Sequence, residues 1–356
     1  MPNNRSKFYS RQLKLIGEEG QELLNHSRVL VIGAGGLGCP VLLYLAAMGV
    51  GQIGIVDNDR VDISNLHRQI LYTPQDVGEN KAEVAAKKIR EQNPYIEVRA
   101  FGAKLNQQNV AELFKNYEII VDCTDNFETK FLVHDACFYQ NKKLVQASIY
   151  QYEGNLHVFD FSDCDQSRNA PCLRCLWTKE PEDGCIGTCA DVGIIGATAG
   201  VLGSLQAMEV SKLILGKESL QNGEGLFVDL ITQDYEKRRW KKNGTCPLCS
   251  NEAKIKPRVT SKDFKLSLEL VAEDLVWIDL RSKEEVETFA IEHAGLIHMP
   301  LSDFNITKLD RDKKYLLICQ KGYRSHQVVR ALHDIGHENV FSLIDGILNF
   351  SPNQKS

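Results

Sequence analysis

Val29–Asp57, VLVIGAGGLGCPVLLYLAAMGVGQIGIVD, is the stretch whose reading decides the fold. Val29–Ile32 is an apolar run of strand length, and Gly33-Ala34-Gly35-Gly36-Leu37-Gly38 is a glycine-rich turn. Pro40–Met48 is a small-residue apolar segment that reads as a helix, and Ile53–Val56 reads as a second strand ending on Asp57. Strand, phosphate loop, helix and strand closed by an acidic residue is the layout of a nucleotide-binding α/β fold. Glycines let the backbone approach a phosphate, and the helix N-terminus adds free N–H groups and a partial positive charge. A carboxylate after the next strand suits a pair of ribose hydroxyls. On its own the stretch fits NAD as well as ATP.

Working outward, residues 3–28 carry apolar positions at helical spacing and predict one or two short helices. After Asp57, a polar stretch predicts a loop with a short helix. Asn80–Asn93 is helical in pattern and stops before Pro94. Tyr117–Cys123 reads as a buried strand running into Thr124-Asp125-Asn126. Ligands of open α/β sheets sit at the carboxyl ends of strands, so Asp57 and Asp125 are predicted to face one crevice. Lys130–Tyr139 predicts a helix, Leu144–Ile149 a strand, and Gly154–Phe159 an exposed strand of a β extension. Cys164–Gly193 is expected to be irregular, Ile194–Leu215 a long helix, and Gly225–Asp229 and Tyr235–Trp240 closing strands.

A polar, basic stretch around Pro257 divides the chain into residues 1–250, a linker over 251–258, and a second domain over 259–356. In that domain Val276–Asp279 predicts a strand, Glu284–Ile291 a helix, and Tyr315–Ile318 a strand. The last runs into Cys319-Gln320-Lys321-Gly322-Tyr323-Arg324-Ser325, before a helix over His326–Gly336 and a strand over Val340–Leu343.

Composition narrows the class. The 356 residues are 43% hydrophobic and 25% charged with a net charge of −5, so no global basic field argues for nucleic acid. The most apolar long segment, Val192–Leu215, carries Glu209 and Lys212, so no membrane span is expected. The polar, basic N-terminus has no apolar segment of the secretory kind. Eleven cysteines without an export signal favour metal and thiol chemistry in a reducing, cytoplasmic setting.

Two groups of residues carry the chemistry of the first domain. Cys172-x-x-Cys175 and Cys246-x-x-Cys249 are two knuckles whose four thiolates match structural zinc and leave no open coordination position. Around the glycine loop stand Ser64-Asn65-Leu66-His67-Arg68-Gln69, Lys81 and Asp125. Cations for phosphate oxygens and a carboxylate for Mg²⁺ suit a triphosphate. A dehydrogenase would use only Gly33, Gly35, Gly38 and Asp57 and leave Arg68, Lys81 and Asp125 without a task.

KFYSRQ, GAGGLG, VDNDRVDISNLHRQ, the ENK ending on Lys81, VDCTDN and the paired C-x-x-C together resemble the ubiquitin-activating-enzyme-like superfamily, nearest its MoeB and ThiF branch, over about Phe8–Cys249. The resemblance implies a Rossmann-like adenylating domain. It would use ATP to adenylate the C-terminal glycine of a ubiquitin-like sulfur carrier of the MoaD or ThiS kind, ending in Gly-Gly. By matching position, Gly33, Gly35, Gly36 and Gly38 form the phosphate loop and Asp57 holds the ribose. Ser64, Asn65, Leu66, His67, Arg68 and Lys81 contact the phosphates, and Asp125 holds Mg²⁺ with Asn126 beside it. Arg11 resembles the arginine that such enzymes reach across a homodimer into the partner's site. Phe8 stands where arginine is usual.

Cys189, in GCIGTCADVGIIG, matches the family's reactive cysteine, whereas Cys185 has no such context. Cys39, Cys123, Cys137 and Cys164 are most simply core or surface thiols. In the second domain Cys319 lies between a strand and a helix, with consecutive N–H groups and Lys321 and Arg324 nearby, which favours its thiolate. Ile278–Arg281, a Glu-rich helix, His293–Leu301 and the Cys319 loop resemble a rhodanese, a small α/β domain, over about Val259–Phe350. Gln320 departs from the usual arginine, and Phe350 from the usual tryptophan. The expectation is a fusion that adenylates a carrier, then sulfurates it through a Cys319 persulfide supplied by a cysteine desulfurase or another donor. Molybdopterin, thiamine, thio-modified tRNA and cysteine synthesis all fit. The rivals are an NAD-dependent oxidoreductase with an accessory rhodanese, a non-catalytic scaffold that docks the carrier, and a ligase acting through Cys189.

Overall fold

The computed structural model describes residues 2–162, 170–179, 193–250, 253, 265–266 and 275–347, apart from 292, 294, 321, 338, 344 and 345. The chain divides into two compact units, Met1–Val259 and Thr260–Ser356.

In the first unit α1 (Pro2–Phe8) and α2 (Ser10–His26) precede β1 (Arg28–Ile32), α3 (Gly38–Met48) and β2 (Gln52–Val56). Next come α4 (Lys81–Gln92), β3 (Glu97–Phe101), α5 (Val110–Phe114), β4 (Ile119–Asp122) and α6 (Phe127–Tyr139). Then follow β5 (Lys143–Tyr150), β6 (Glu153–Asp160), α7 (Leu173–Leu176), α8 (Gly196–Ile214), β7 (Glu224–Asp229) and β8 (Asp234–Arg239). The sheet order is β3-β2-β1-β4-β5-β6-β7-β8, parallel through β5 and antiparallel beyond it. The chain steps from β1 out to β3, then returns to lay β4 on the other side of β1. That reversal opens a crevice above the carboxyl ends of β1 and β4, where open sheets of this kind bind ligands. Apolar residues on both faces of β1, β2 and β4 are fully buried, as parallel strands covered on two sides require.

The glycine loop crosses that crevice. Gly33 has φ +90°, and a Cβ there would lie 3.0 Å from the Cys123 carbonyl at the end of β4. A Cβ on Gly38 would lie 2.1 Å from the Gly33 carbonyl. Glycine at both positions lets α3 start directly against β1 and β4. Asn126 starts α6 by accepting from Thr129 N at 2.8 Å, three residues earlier than the sequence pattern suggests.

One expectation is corrected: β6 is largely buried, not exposed. Its alternation of polar Asn155 and His157 with apolar residues suggests a half-solvated strand. Yet α8 covers one face, where a Cβ on Gly154 would strike Leu202 at 2.6 Å, and an aromatic layer covers the other. In that layer the His157 ring stacks with Phe159 at 6.1 Å and meets the edge of Trp240 at 5.3 Å. Its Nδ1 has no hydrogen-bond partner.

Burial therefore pushes the His157 pKa down from 6.5 to about 4. The native state takes up this proton later than the unfolded chain. The associated stability is intact above pH 6.5 and is lost as the pH falls towards 4, a change of about 3 kcal/mol. Urea unfolding at a series of pH values is expected to show that slope, and His157→Gln to flatten it. An unchanged slope in the variant would assign it to other groups.

The second unit has β9 (Lys265–Leu266), β10 (Leu275–Asp279), α9 (Lys283–Thr288), β11 (Ile297–His298), β12 (Lys314–Ile318), α10 (Tyr323–Asp334) and β13 (Val340–Leu343). They form a parallel sheet in the order β11-β10-β12-β13-β9. Leu280, Leu317, Val329 and Val340 are central in one of its two apolar layers. Helix α9 is shorter than its sequence pattern predicts. A Ser282–Glu285 capping box fixes its start, and Arg281 takes the Phe289 carbonyl at 2.7 Å just past its end. Helix α10 begins earlier than expected, immediately after Gly322, whose φ is +81°.

Candidate active sites and thiolate knuckle

At the β1–β4 crevice the Asp57 carboxylate accepts from Ala34 N and Asp59 N, both at 2.8 Å. The Ala34 N–H is thereby committed to holding the loop rather than to a phosphate. Burial pushes the Asp57 pKa up, against the pull of the Lys81 charge. Lys81 is the first residue of α4, capped by Asn80, and only 5% exposed. Its Nζ lies 3.0 Å from the exposed Asp59 carboxylate.

Asp62 caps a short 3-10 turn over Ile63–Asn65 by accepting from Ser64 N at 2.8 Å and from Ser64 Oγ. The turn carries Leu66, His67 and Arg68 back towards the glycine loop. A Cβ on Gly36 would lie 3.6 Å from Arg68 Cγ, and one on Gly35 would lie 3.6 Å from Gln69 Nε2. Arg68 Nη2 donates to Asn65 Oδ1 at 2.6 Å, and its Nη1 lies 2.8 Å from the His67 ring. Gly196 starts α8 against the backbone of this same turn, where a Cβ would meet the His67 carbonyl at 2.4 Å.

The fold thus brings Gly33–Gly38, Asp57, residues 64–69 and Lys81 together. Asp125 stands exposed on the bend after β4. Arg11 is not part of this cluster. Its neighbour Gln12 donates to the Met48 carbonyl at 2.7 Å, and the Tyr9 ring lies against Gly49. Both contacts are at the C-terminal end of α3, a helix length from the loop.

Sequence reasoning missed two features here. Gln69 is 4% exposed, and its Oε1 is a buried acceptor with no partner. A hydroxyl or amino group of a bound nucleotide would complete it, so the crevice fits such a ligand. Asp122 is fully buried. Its carboxylate accepts from Thr124 N at 2.9 Å, Thr124 Oγ1 at 2.7 Å and Gln146 Nε2 at 2.7 Å, with Lys130 Nζ 3.4 Å away. Lys130 also donates to the Ala147 carbonyl at 2.6 Å. This network fixes the turn that carries Asp125. Its signal was an acidic residue closing the apolar run Ile119–Val121.

The four knuckle cysteines converge, with their sulfurs all within 4.8 Å of one another. Cys172 Sγ lies 3.8 Å from Cys175 and 3.6 Å from Cys246, and Cys175 lies 3.4 Å from Cys249. A tetrahedron of Zn–S bonds near 2.3 Å has S···S edges of about 3.8 Å, so the group fits zinc. Trp240 Nε1 donates to the Cys172 carbonyl at 3.2 Å, and Leu173 N donates to the buried His134 ring at 3.0 Å. Arg174 pairs with Asp135 of α6 at 2.8 Å.

In the second unit Cys319 follows β12 and is 1% exposed. Its sulfur accepts from Ser325 N at 3.4 Å, at the start of α10. Ser325 Oγ lies 3.4 Å from the same sulfur and is held by Ser342 at 2.9 Å. The Arg324 guanidinium is paired with Glu285 through both nitrogens. Lys321 lies outside the described residues, as do Cys164, Cys185 and Cys189. Cys39, Cys123 and Cys137 are buried core thiols, and burial pushes the Cys39 pKa up to about 12.

An α/β nucleotide crevice with a four-thiolate knuckle, followed by a parallel sheet that cradles a cysteine, defines a nucleotide-using enzyme joined to a sulfur-handling domain. The model of the ThiF family matches residues 9–248, and that of the rhodanese-like domain matches residues 265–353. The chain belongs to the ThiF family, carries a rhodanese-like domain, and is an adenylyltransferase with a sulfurtransferase domain.

It is 44% identical over 246 residues to the "Sulfur carrier protein adenylyltransferase" of Thermus thermophilus, covering 68% of this chain and 90% of that one. It is 35% identical over 381 residues to the "Adenylyltransferase and sulfurtransferase MOCS3" of Xenopus laevis, covering 94% of this chain and 82% of that one. Among solved structures, Escherichia coli MccB in complex with MccA-N7isoASN matches with a TM-score of 0.59. That match has 22% identity and covers 69% of this chain and 75% of the other, which supports the fold alone. Among the described residues no helix is long and apolar enough to cross a membrane.

Proposed function

We propose that this enzyme adenylates the C-terminal glycine of a ubiquitin-like sulfur carrier ending in Gly-Gly and then converts it to a thiocarboxylate. The observation that carries the reading is the crevice, where Asp57, Arg68 and Lys81 surround one glycine loop in a chain that also bears the Cys319 cradle. The carrier carboxylate attacks the α-phosphorus of ATP, and the bond to the β-phosphate breaks with release of pyrophosphate. Arg68 and Lys81 neutralise charge that builds on the phosphates, and Asp57 orients the ribose. Mg²⁺, when bound, screens the phosphate oxygens, and Asp125 with Asn126 would hold it. No protein nucleophile is needed for this half-reaction, because the carrier supplies its own.

The terminal sulfur of a Cys319 persulfide then attacks the acyl carbon, and AMP leaves. The Cys189 thiolate attacks the Cys319 sulfur of the resulting acyl disulfide, its S–S bond breaks with release of the thiocarboxylate, and the Cys189–Cys319 disulfide left behind is reduced by a dithiol reductant. The position of Arg11 at the far end of α3 supports a homodimer in which it serves the second copy's crevice. Zinc in the knuckle staples the chain after β6 to the end of the domain. The abundance of free thiols supports work in the cytoplasm, with a cysteine desulfurase or another persulfide source as donor.

Mass spectrometry of the carrier after incubation with enzyme, ATP, Mg²⁺ and a sulfur donor tests the sequence. The expected product has one carboxyl oxygen replaced by sulfur. Cys319→Ala is expected to give the adenylate without the thiocarboxylate, and sulfuration by that variant would move the sulfur site elsewhere. Binding of NAD in place of ATP would revive the oxidoreductase reading.

A further inference from the structure

The scheme above leaves Asp279-Leu280-Arg281, at the end of β10, without a task. Arg281 is 1% exposed and forms a two-pronged pair with Asp279, Nη2 to Oδ2 at 2.7 Å and Nε to Oδ1 at 3.0 Å. Its remaining nitrogen takes the Phe289 carbonyl at 2.7 Å, at the end of α9. A helix end otherwise left with unpaired carbonyls is thereby bolted to the sheet. Glu285 rides on this fixed helix. One oxygen of its carboxylate accepts from Ser282 N and from Arg324 Nη1, each at 2.8 Å, and the other accepts from Arg324 Nη2. Arg324 is the second residue of α10, and its guanidinium is close enough to the Cys319 sulfur to feel its charge.

We propose that Glu285 sets the sulfur-donor specificity of Cys319 by occupying the fork of Arg324. Thiosulfate is a dianion and leaves sulfite behind, so it gains most from a cation that is free to grip an oxyanion with two parallel hydrogen bonds. Here that fork is already filled by a carboxylate on a rigid helix. A persulfide on a thiol carries no oxyanion on the sulfur left behind and loses little from the pairing. In either case the Cys319 thiolate attacks the outer sulfur and the donor S–S bond breaks. Its electron pair leaves on sulfite in one case and on the donor thiolate in the other. The cradle therefore favours persulfide sulfur over thiosulfate. This inference rests on the reading of Cys319 as the sulfur acceptor.

The test compares thiosulfate and cysteine persulfide as donors to the full-length enzyme, with thiocyanate formation from cyanide as the readout. Glu285→Gln keeps the shape and the capping box, which accepts either residue, but removes the charge. The expected result is a thiosulfate KM lowered about tenfold, the scale of one charge-assisted hydrogen bond. Thiosulfate kcat and the persulfide kcat/KM should change less than about twofold on that scale. In an Arg324→Met background the same substitution should have no effect on the thiosulfate KM. An unchanged or raised thiosulfate KM in a Glu285→Gln protein of unaltered melting temperature would overturn the proposal, as would an equal gain for both donors. Thiosulfate turnover surviving in Cys319→Ala would instead sink the acceptor reading itself.

Discussion

Lys81→Met is expected to lower carrier-dependent ATP–pyrophosphate exchange by about 10³-fold while leaving the melting temperature nearly unchanged. The first half follows from where the ammonium sits. Its side chain is 7% exposed, at the first residue of α4, and its charge reaches the Asp57 carboxylate that holds the glycine loop. A positive charge held in a largely water-excluded position acts on a developing phosphate charge far more strongly than one in solvent. Its present partner, Asp59, has a carboxylate side chain that is 62% exposed. When the lysine is removed Asp59 simply hydrates, Asp57 loses the pull of that charge but keeps the Ala34 and Asp59 N–H donors, and methionine fills the same slot. The severe destabilisation that follows breaking a fully buried pair does not apply.

Arginine is not expected to rescue, because its planar fork is bulkier and its donors point differently from a single ammonium. Retention of more than about a tenth of the exchange would show that the phosphates lie elsewhere, given the 10²-fold or larger cost of losing one such group. Asp125→Ala is the companion experiment. It should abolish exchange through the metal, and added Mg²⁺ should restore part of Asp125→Asn but none of Lys81→Met.

How much of this could be read in advance varies by element, for physical reasons. The β1–α3–β2 unit was legible because each part has a local cause: an apolar run, glycines demanded at Gly33 and Gly38, and an acid after the strand. The Cys319 loop was legible for the same reason. Strand β6 was misread because its burial is decided by α8 and by the aromatic layer around Trp240, partners far away in sequence. Local alternation describes a strand with one wet face, and β6 is covered on both.

Gln69 and Asp122 were passed over for a related reason. Whether a polar side chain is a surface group or a buried, unpartnered acceptor depends on neighbours that the sequence does not display. The Glu285–Arg324 pair joins residues 39 positions apart, and nothing in their local spacing announces it. Cys189, which the sequence motif singles out, lies outside the described residues, so its role rests on the resemblance and on the chemistry proposed for it.

Cys249→Ser is expected to leave the purified protein without its zinc and to lower its thermal midpoint by roughly 10–20 °C. The four sulfurs already converge within 4.8 Å of one another, and Cys249 is 6% exposed. A serine hydroxyl in its place stays protonated near neutral pH and is a poor ligand, so three closely packed thiols are left with no cation between them. The consequence spreads beyond the knuckle. Cys172 is held through its carbonyl to Trp240, and Leu173 and Arg174 are held to His134 and Asp135 of α6.

Helix α6 starts at Asn126, one residue after the proposed metal ligand Asp125. Loosening the knuckle therefore loosens the far end of the helix whose near end adjoins the proposed Mg²⁺ ligand. The ATP–pyrophosphate exchange of Cys249→Ser should fall even at temperatures where the protein remains folded, with a raised Mg²⁺ requirement as its sign. A metal-free protein that melts at the parental temperature would rule out a structural metal. Loss of zinc with an unchanged Mg²⁺ requirement would show instead that α6 is held by its own packing against β4 and β5, with the knuckle acting only as a staple.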